Sequence, residues 1–299
     1  MPKRRDRGST KLALWLCLIS VTCGLFLHRL SRSRQTAVIL TVGNDTKLDH
    51  LHHLARDTVF SQPRTKRISR KVLVYEGEFR PWFVASNIDG VTTVHASRKE
   101  ERSHYGAHSF RLFSGIYGAS VKPAILRWLA QRDQAWIDFG WIIEPDVVFT
   151  GSWLTLFKKY ESDCSDLIAF NTTSQYSNKT AWNHWPSCTY CRGLPNWQKQ
   201  SSLLPVFRIS RNLAVAVVAH LSMSTNSSGH HEAFLPTFIT SNSDVFTWTD
   251  LRPDVAYMRW RPVFDEGAFS SGPIRRDALY HPIKSAKMYR KLSHTPIDI

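Results

Sequence analysis

"WIIEPDVVFTG", Trp141 to Gly151, is the stretch that decides the fold prediction. Its apolar, mostly β-branched residues are typical of a buried strand. Glu144 and Asp146 flank Pro145 within it, and a strand interior tolerates neither proline nor paired charge. We therefore expect this triplet at the carboxyl end of the strand, where α/β sheets hold their ligands. There, Glu144 and Asp146 can bind one divalent cation and through it a diphosphate, unless the triplet is only a polar turn that leaves the core.

The residues before this stretch alternate between strand and helix patterns. Thr36–Gly43, Val72–Gly77 and Val91–Ala96 are strand-length apolar runs, and residues 46–60 have helical spacing. A second helix is predicted from Lys122, with its apolar side directed at the core. Right-handed β-α-β crossovers then make the first strands parallel, so we predict an α/β fold with a mostly parallel sheet flanked by helices.

The remaining segments are less regular. Residues 98–120 are charged and then glycine- and aromatic-rich, and we expect a loop there. Residues 165–170 form a further strand pattern, and Ser210 is a candidate helix cap between a strand and an apolar helix. Another helix is expected to begin near Glu232. The sequence contains no phosphate-loop, dinucleotide-binding or zinc-protease motif, and His230 to Glu232 (HHE) has the wrong spacing for a zinc helix.

The amino end predicts membrane attachment. Leu12–Leu27 contains no charged residue and has basic residues on both sides. No small-residue cleavage pattern follows it, which favours an uncleaved signal-anchor over a signal peptide. We therefore predict a cytosolic tail over 1–10, a transmembrane helix over 11–29 and a lumenal domain over 35–299. A short span suits the thin membranes of the Golgi or endoplasmic reticulum, with the large domain in the lumen.

Glycosylation motifs agree with a lumenal domain. Four sequons stand at Asn44, Asn171, Asn178 and Asn226, and of these we expect Asn44 to be modified least, because it follows a strand at the ligand-binding edge. The net charge of the chain is +15, and the residues after the first 34 still carry +8. That excess suits an anionic ligand. Zinc-finger spacing and basic stripes are absent, so we expect no nucleic acid as partner.

Three cysteines lie beyond the amino-terminal apolar segment. Cys188 and Cys191 form a Cys-x-x-Cys motif, and Cys164 precedes them. An oxidising lumen favours a disulfide, between Cys188 and Cys191 or from one of them to Cys164. The alternative is a zinc site that combines these cysteines with His184, four residues before Cys188.

Together, these features resemble the nucleotide-sugar glycosyltransferases of the GT-A fold. "WIIEPDVVFTGSW" is similar to their D-x-D strand, with Glu144 in place of the first aspartate, and the helix led by Lys122 fits the same family. The resemblance implies a Golgi enzyme that transfers a sugar from a nucleotide-sugar donor to a glycan or glycoprotein acceptor, with Mn²⁺ or Mg²⁺ as cofactor. It also implies that Lys122 helps to bind the donor. Some GT-A families use basic side chains instead of a metal, so the departure at Glu144 leaves metal dependence open.

The chemistry of glycosyl transfer assigns roles to further residues. The leaving diphosphate needs positive charge, which the resemblance and the residue types place on His281 and Lys284. A carboxylate must deprotonate the acceptor hydroxyl, and Glu232 is the candidate base. Alternatively, Glu232 is only an acid in the first turn of a helix, and His281 and Lys284 belong to a solvated tail.

Two other functions remain open from the sequence. A lumenal protein of the same fold could bind glycans through its tryptophans without catalysis. A hydrolase could use Glu144 and Asp146 as acid and base. However, these carboxylates are separated by a single residue on one strand, which places them too close together to flank a glycosidic bond.

Overall fold

The structure is a computed structural model that describes residues 34–42, 68–77, 90–114, 119–173, 184–224 and 226–293. The chain divides into two units, Met1–Arg34 and Gln35–Ile299, and all described elements belong to the second. No helix among these described residues is long and apolar enough to cross a membrane. Several expectations concern segments outside the described residues: the transmembrane helix over 11–29, Asn44, the helix over 46–60, and Asn178.

A seven-stranded sheet has the strand order β3-β2-β1-β4-β7-β6-β8. Its strands are β1 (Thr36–Val42), β2 (Ile68–Glu76), β3 (Val91–Ala96), β4 (Phe139–Ile143), β6 (Leu167–Asn171), β7 (Ser202–Ser210) and β8 (Trp248–Asp250). Of these described strands, β7 alone runs antiparallel to its neighbours. A second sheet has the order β5-β10-β9 and consists of β5 (Val148–Phe149), β9 (Val255–Met258) and β10 (Leu279–His281). The predicted mixed α/β fold with a mostly parallel sheet is confirmed.

The helices in the described part of the chain vary from one to four turns. They are α1 (Arg98–Tyr105), α2 (Ala107–Ser114), α3 (Val121–Ala130), α4 (Trp153–Lys159), α5 (His184–Ser187), α6 (Arg211–Met223), α7 (His231–Ser241), α8 (Glu266–Ser270) and α9 (Ala286–Ser293). The predicted strand-to-helix boundary at Ser210 is confirmed, because its hydroxyl accepts a hydrogen bond from the amide of Leu213 at 3.0 Å.

The central sheet is buried on both faces. Along β1, Val38 and Leu40 pack into one apolar cluster while Ala37 and Ile39 pack into the other, as the two-residue repeat of a strand requires. One cluster includes the small sheet and α9, and the other includes α3, α6 and α7. Burial on both faces explains why the strand sequences read as continuous apolar runs.

The order of the strands defines a position for ligands. The chain proceeds outward from β1 through β2 to β3, and then returns to place β4 on the other side of β1. In α/β sheets, ligands bind beyond the carboxyl ends of the strands where the order reverses in this way. The end of β4 lies at that point, and Glu144 and Asp146 follow it directly.

The loop expected over residues 98–120 is wrong, because α1 and α2 occupy most of it. Ser97 caps α1 through a hydrogen bond from the amide of Glu100. The charged sequence of α1 is stabilised by a partly buried ion pair: the half-buried guanidinium of Arg127, on α3, contacts the fully buried carboxylate of Glu101 at 2.6 Å. A long-range partner of this kind gives no periodic signal in the sequence, and it fixes α1 against the helix that carries Lys122.

Candidate metal centre

Strand pairing within the small sheet brings the turn after β4 against the chain that follows β10. β5 and β10 pair antiparallel, with Val148 opposite Tyr280. The amide of Ile283 donates to the carbonyl of Asp146 at 2.9 Å, so the chain after β10 is bound to the turn itself. Residues more than 130 positions apart in the sequence therefore share one site.

Asp146 lies between two basic side chains. Its Oδ2 is 2.6 Å from Nζ of Lys284 and 3.5 Å from Nε2 of His281. Burial by itself raises the pKa of Asp146, but the contact with His281 and the positive charge of Lys284 outweigh it and hold this pKa well below its usual range. Asp146 is therefore ionised at any physiological pH, as a metal ligand or a partner for a cation must be.

Glu144 is hydrogen-bonded to the neighbouring strand β7 through its backbone, and its side chain contacts Lys122 rather than Lys284. Its amide donates to the carbonyl of Pro205, on β7, at 2.7 Å. Its Oε1 is 2.8 Å from Nζ of Lys122, and its Oε2 is 3.9 Å from Nε2 of His281. One oxygen is thus paired with a lysine, while the other points toward the imidazole that also contacts Asp146.

Lys122 stands in the first turn of α3, where a positive charge opposes the helix dipole. Its ammonium has two partners that offset this cost: Glu144, and Nε2 of His231 at 2.8 Å. Nδ1 of His231 lies 3.0 Å from the carbonyl of Phe113, which assigns the proton to Nδ1 and leaves Nε2 as the acceptor for Lys122. The start of α3 is fixed as well, because Tyr105 donates its hydroxyl to the carbonyl of Pro123 at 2.9 Å.

Glu232 lies in the first turn of α7, as predicted, but it is almost fully buried. Its Oε1 accepts a hydrogen bond from the amide of Leu204 at 3.3 Å. Burial raises the pKa of Glu232 to about 7, Lys122 counteracts the shift, and Glu144 adds to it. A carboxyl poised near neutral pH is suited to general acid–base chemistry. Leu204 and Pro205 are consecutive on β7, so one strand holds both Glu232 and Glu144.

A second group of polar side chains surrounds Glu232. Nδ1 of His230 is 3.8 Å from Oε2 of Glu232, and the ring of His184 stacks on the ring of His230 with centroids 3.7 Å apart. Burial lowers the pKa of His184. Burial also lowers the pKa of His230 to about 2, with a further contribution from the positive charge of Lys122. Both imidazoles are therefore neutral.

Two of the cysteines, Cys188 and Cys191, lie beside this second group. Cys188 and Cys191 are joined by a disulfide, while Cys164 is exposed and its thiol contacts the carbonyl of Ser162 at 3.6 Å. A zinc site that uses Cys188 and Cys191 as ligands is therefore incompatible with this structure. Of the described sequons, Asn226 is exposed and Asn171 is half-buried at the end of β6.

The residues at the end of β4 have a donor set that fits a divalent cation. Glu144, Asp146 and His281 each offer one ligand atom, and the three atoms lie within 4.8 Å of one another. Carboxylate oxygens suit Mg²⁺ and Mn²⁺, and an imidazole favours a transition ion, so this set fits Mn²⁺ better than Mg²⁺. His281 was expected at the diphosphate, which stays a prediction; in the structure its imidazole lies near both carboxylates.

The structure brings five of the predicted site residues into one chain of contacts. Lys284, Asp146, His281, Glu144 and Lys122 follow one another in that order. Glu232 is not part of this chain of contacts, but the charges of Lys122 and Glu144 and the nearby His281 influence its pKa. Sequence reasoning missed His231, the second partner of Lys122, and His230. The only signal for either was three consecutive polar residues, HHE, at the start of an apolar helix.

Comparisons with known proteins give limited likenesses. No protein-family model matches the chain, and no curated protein matches its sequence. Among solved structures, the chain is similar to the apo form of mouse xyloside xylosyltransferase 1, with 12% sequence identity and a TM-score of 0.43, over 82% of this chain and 97% of that chain. It is also similar to 4-diphosphocytidyl-2C-methyl-D-erythritol synthase from Anaerococcus prevotii, with 10% identity and a TM-score of 0.40, over 73% of this chain and 87% of that one. Both TM-scores are below 0.5, so a functional assignment has to come from the site itself.

We expect Glu232 to make the free energy of unfolding depend on pH. The folded state raises the pKa of Glu232 from 4.5 to about 7. The stabilising contribution of its bound proton is therefore complete below about pH 4.5 and is lost as the pH rises to about 7. The full loss is about 3 kcal/mol. Glu232→Gln cannot ionise and keeps an oxygen for the Leu204 amide, so it should remove this dependence.

The measurement is the urea midpoint of the parent and of Glu232→Gln at intervals between pH 4.5 and 8. As the pH rises, the urea midpoint of the parent should fall relative to that of Glu232→Gln. Glu100→Gln, which removes an exposed carboxylate, serves as the matched control and should follow the parent. Parallel curves for the parent and Glu232→Gln would show that Glu232 is not perturbed by burial.

Proposed function

We propose that this protein is a GT-A-type glycosyltransferase that uses a nucleoside diphosphate sugar as donor. The observation that carries the proposal is the arrangement around Asp146: a permanently ionised carboxylate contacts both an imidazole and a lysine, beyond the strand end where the sheet order reverses. Glu144 and Lys122 add a second carboxylate and a second lysine to the same place. Alternating negative and positive groups of this kind are what a cation bound to a diphosphate requires.

Each side chain of the site has a defined role in binding the donor. Asp146, Glu144 and His281 would hold the divalent ion, which when bound supplies Lewis-acid stabilisation of the diphosphate. Lys284 contacts Asp146 through a largely exposed side chain, so it can turn to a phosphate oxygen without a change in the backbone. Lys122 occupies Oε1 of Glu144 and keeps that carboxylate in place while Oε2 remains directed into the site.

We infer a transfer step that uses these residues. The bond between the anomeric carbon and the diphosphate oxygen breaks, and its electron pair leaves with the diphosphate, whose charge Lys284 helps to neutralise. The acceptor oxygen forms the new bond to the anomeric carbon, and its proton moves to Glu232. The pKa of Glu232, about 7, allows it to accept that proton near neutral pH and to release it afterwards.

One observation favours a second function. Glu232 is almost fully buried and already hydrogen-bonded to the Leu204 amide, which also suits a carboxyl with a structural role. In that case the protein would bind a nucleoside diphosphate at the end of β4 and a glycan beside it, without transfer. Donor binding in the absence of transfer to any of a broad set of acceptors would favour this alternative.

We assign the protein to the Golgi or endoplasmic reticulum membrane, with its large domain in the lumen and a glycan or glycoprotein as acceptor. The uncharged stretch Leu12–Leu27 between basic residues supports attachment. The disulfide between Cys188 and Cys191 supports an oxidising compartment.

The central prediction separates donor binding from chemistry. Asp146→Asn should lower the affinity for a nucleoside diphosphate in the presence of Mn²⁺ at least tenfold, because it removes a charged ligand, and transfer should fall with it. Glu232→Gln should leave that affinity unchanged and lower turnover about 10²–10⁴-fold, the usual contribution of a positioned base.

Calorimetric titration of UDP and GDP beside initial rates with a panel of nucleotide sugars makes this comparison. Asp244→Asn, on an exposed turn, is the matched control for the loss of one negative charge and should behave as the parent. If Asp146→Asn binds and turns over donor like the parent, Asp146 is structural and the proposed function is wrong.

A further prediction concerns the compartment. In protein expressed through the secretory pathway, glycosidase treatment should increase electrophoretic mobility. Asn226 should carry glycan at higher occupancy than Asn171, since Asn226 is exposed whereas the Oδ1 of Asn171 accepts a hydrogen bond from the Thr173 amide at 2.8 Å. Peptide mass spectrometry measures both occupancies. A protein that carries no glycan at any sequon, and whose large domain is digested by protease in intact vesicles, would contradict the lumenal assignment.

A further inference from the structure

His184, His230 and Glu232 form a second group of possible metal ligands. Each offers one ligand atom, and the three atoms lie within 4.8 Å of one another. No residue of this group belongs to the set at the end of β4, which consists of Glu144, Asp146 and His281. The donor types also differ, because this group contains two imidazoles and one carboxylate.

His230 gives an independent indication of a ligand. Its side chain is more than nine-tenths buried, and among the described residues its Nδ1 has no hydrogen-bond partner. That atom faces Oε2 of Glu232 at 3.8 Å, which is too long for a hydrogen bond. A buried polar atom without a partner is costly, so a native structure that retains one requires an explanation.

The disulfide turn holds the two imidazoles together. The hydroxyl of Thr189 and the amide of Tyr190 both donate to the carbonyl of Ser228 at 2.9 Å. A Cβ on Gly229 would lie 2.7 Å from Sγ of Cys188, so the backbone before α7 fits against the disulfide without space for a side chain. This contact places His184, four residues before Cys188, directly over His230.

We propose that His184, His230 and Glu232 bind a Zn²⁺ ion or a divalent ion of similar chemistry. Two imidazoles and a carboxylate are a common donor set for zinc, with a fourth position left for water. This group has two imidazoles and one carboxylate, whereas the set at the end of β4 has one imidazole and two carboxylates, so zinc is favoured more strongly here than there. One zinc ion cannot lie in the planes of two parallel rings whose centroids are 3.7 Å apart, so binding would end the stacking of His184 on His230.

Zinc at this site would have a consequence for catalysis that rests on the proposed function. Glu232 cannot accept a proton from an acceptor hydroxyl while its carboxylate is bound to a metal ion. Zinc would therefore inhibit transfer without displacing the donor, whereas Mn²⁺ at the end of β4 supports transfer.

The test is a zinc titration of the full chain, with its disulfide intact and its metals removed by a chelator, in competition with a chromophoric chelator. Asp146→Asn is the background for all samples, because it weakens the other site. His184→Ala should lower zinc affinity by more than the 10–100-fold that changes outside the ligand shell cause. His108→Ala, which removes an exposed histidine from α2, is the matched control and should leave the titration unchanged.

A thermal melt with and without zinc guards against misfolding of the variant. Zinc should raise the melting temperature of the His108→Ala protein and leave that of the His184→Ala protein unchanged, because only a bound ligand stabilises the native state. Equal zinc affinity in both variants, or no zinc binding in the control, would overturn the proposal. The titration does not depend on catalysis, so zinc binding by the His108→Ala sample, together with a parent protein that transfers no sugar, would overturn only the proposed function.

Discussion

The carboxylate of Asp146 is almost completely buried, and a buried carboxylate must be neutralised by nearby positive charge. Lys284 supplies this charge, the imidazole of His281 lies 3.5 Å from the same carboxylate, and both residues come from the chain that ends and follows β10. The pairing of β10 with β5 and the hydrogen bond from the amide of Ile283 to the carbonyl of Asp146 therefore hold these two side chains beside the carboxylate. Removal of either basic residue would leave Asp146 less compensated, so the second half of the fold and the site depend on each other.

Lys122 explains how the site can work with glutamate in the first acidic position. The side chain of Glu144, which is longer than that of aspartate, contacts Lys122 with one oxygen and directs the other toward His281. Lysine and a divalent ion therefore need not compete for the same oxygen. His231 completes the arrangement, because its Nε2 accepts a second hydrogen bond from Lys122 and its Nδ1 is bound to the carbonyl of Phe113. The first turn of α7 thus contributes His231 to the donor side and Glu232 to the acceptor side of the proposed reaction.

The sequence predicted the parts of this structure that have a local signal. β4 and the acidic pair after it were readable from an apolar run broken by Pro145, and the cap at Ser210 from its residue type. The position of His281 among the carboxylates could not be read, because β5 and β10 are two and three residues long and have no periodicity. α1 was missed because its sequence is highly charged, and nothing local in it indicates that Glu101 is buried and paired with the distant Arg127. The stacked His184 and His230 depend on a disulfide turn whose pairing partner the sequence left open.

The central claim is that one divalent ion contacts both His281 and the diphosphate. Electron–nuclear double resonance of Mn²⁺ bound to the full chain with UDP, prepared with ¹⁵N-labelled histidine, tests it directly. The account predicts ¹⁵N coupling from one histidine and ³¹P coupling from the nucleotide at the same ion, with the ¹⁵N coupling lost in His281→Gln and kept in His184→Ala. Manganese that shows ³¹P coupling without any histidine coupling, or a histidine coupling that survives in His281→Gln, would contradict it.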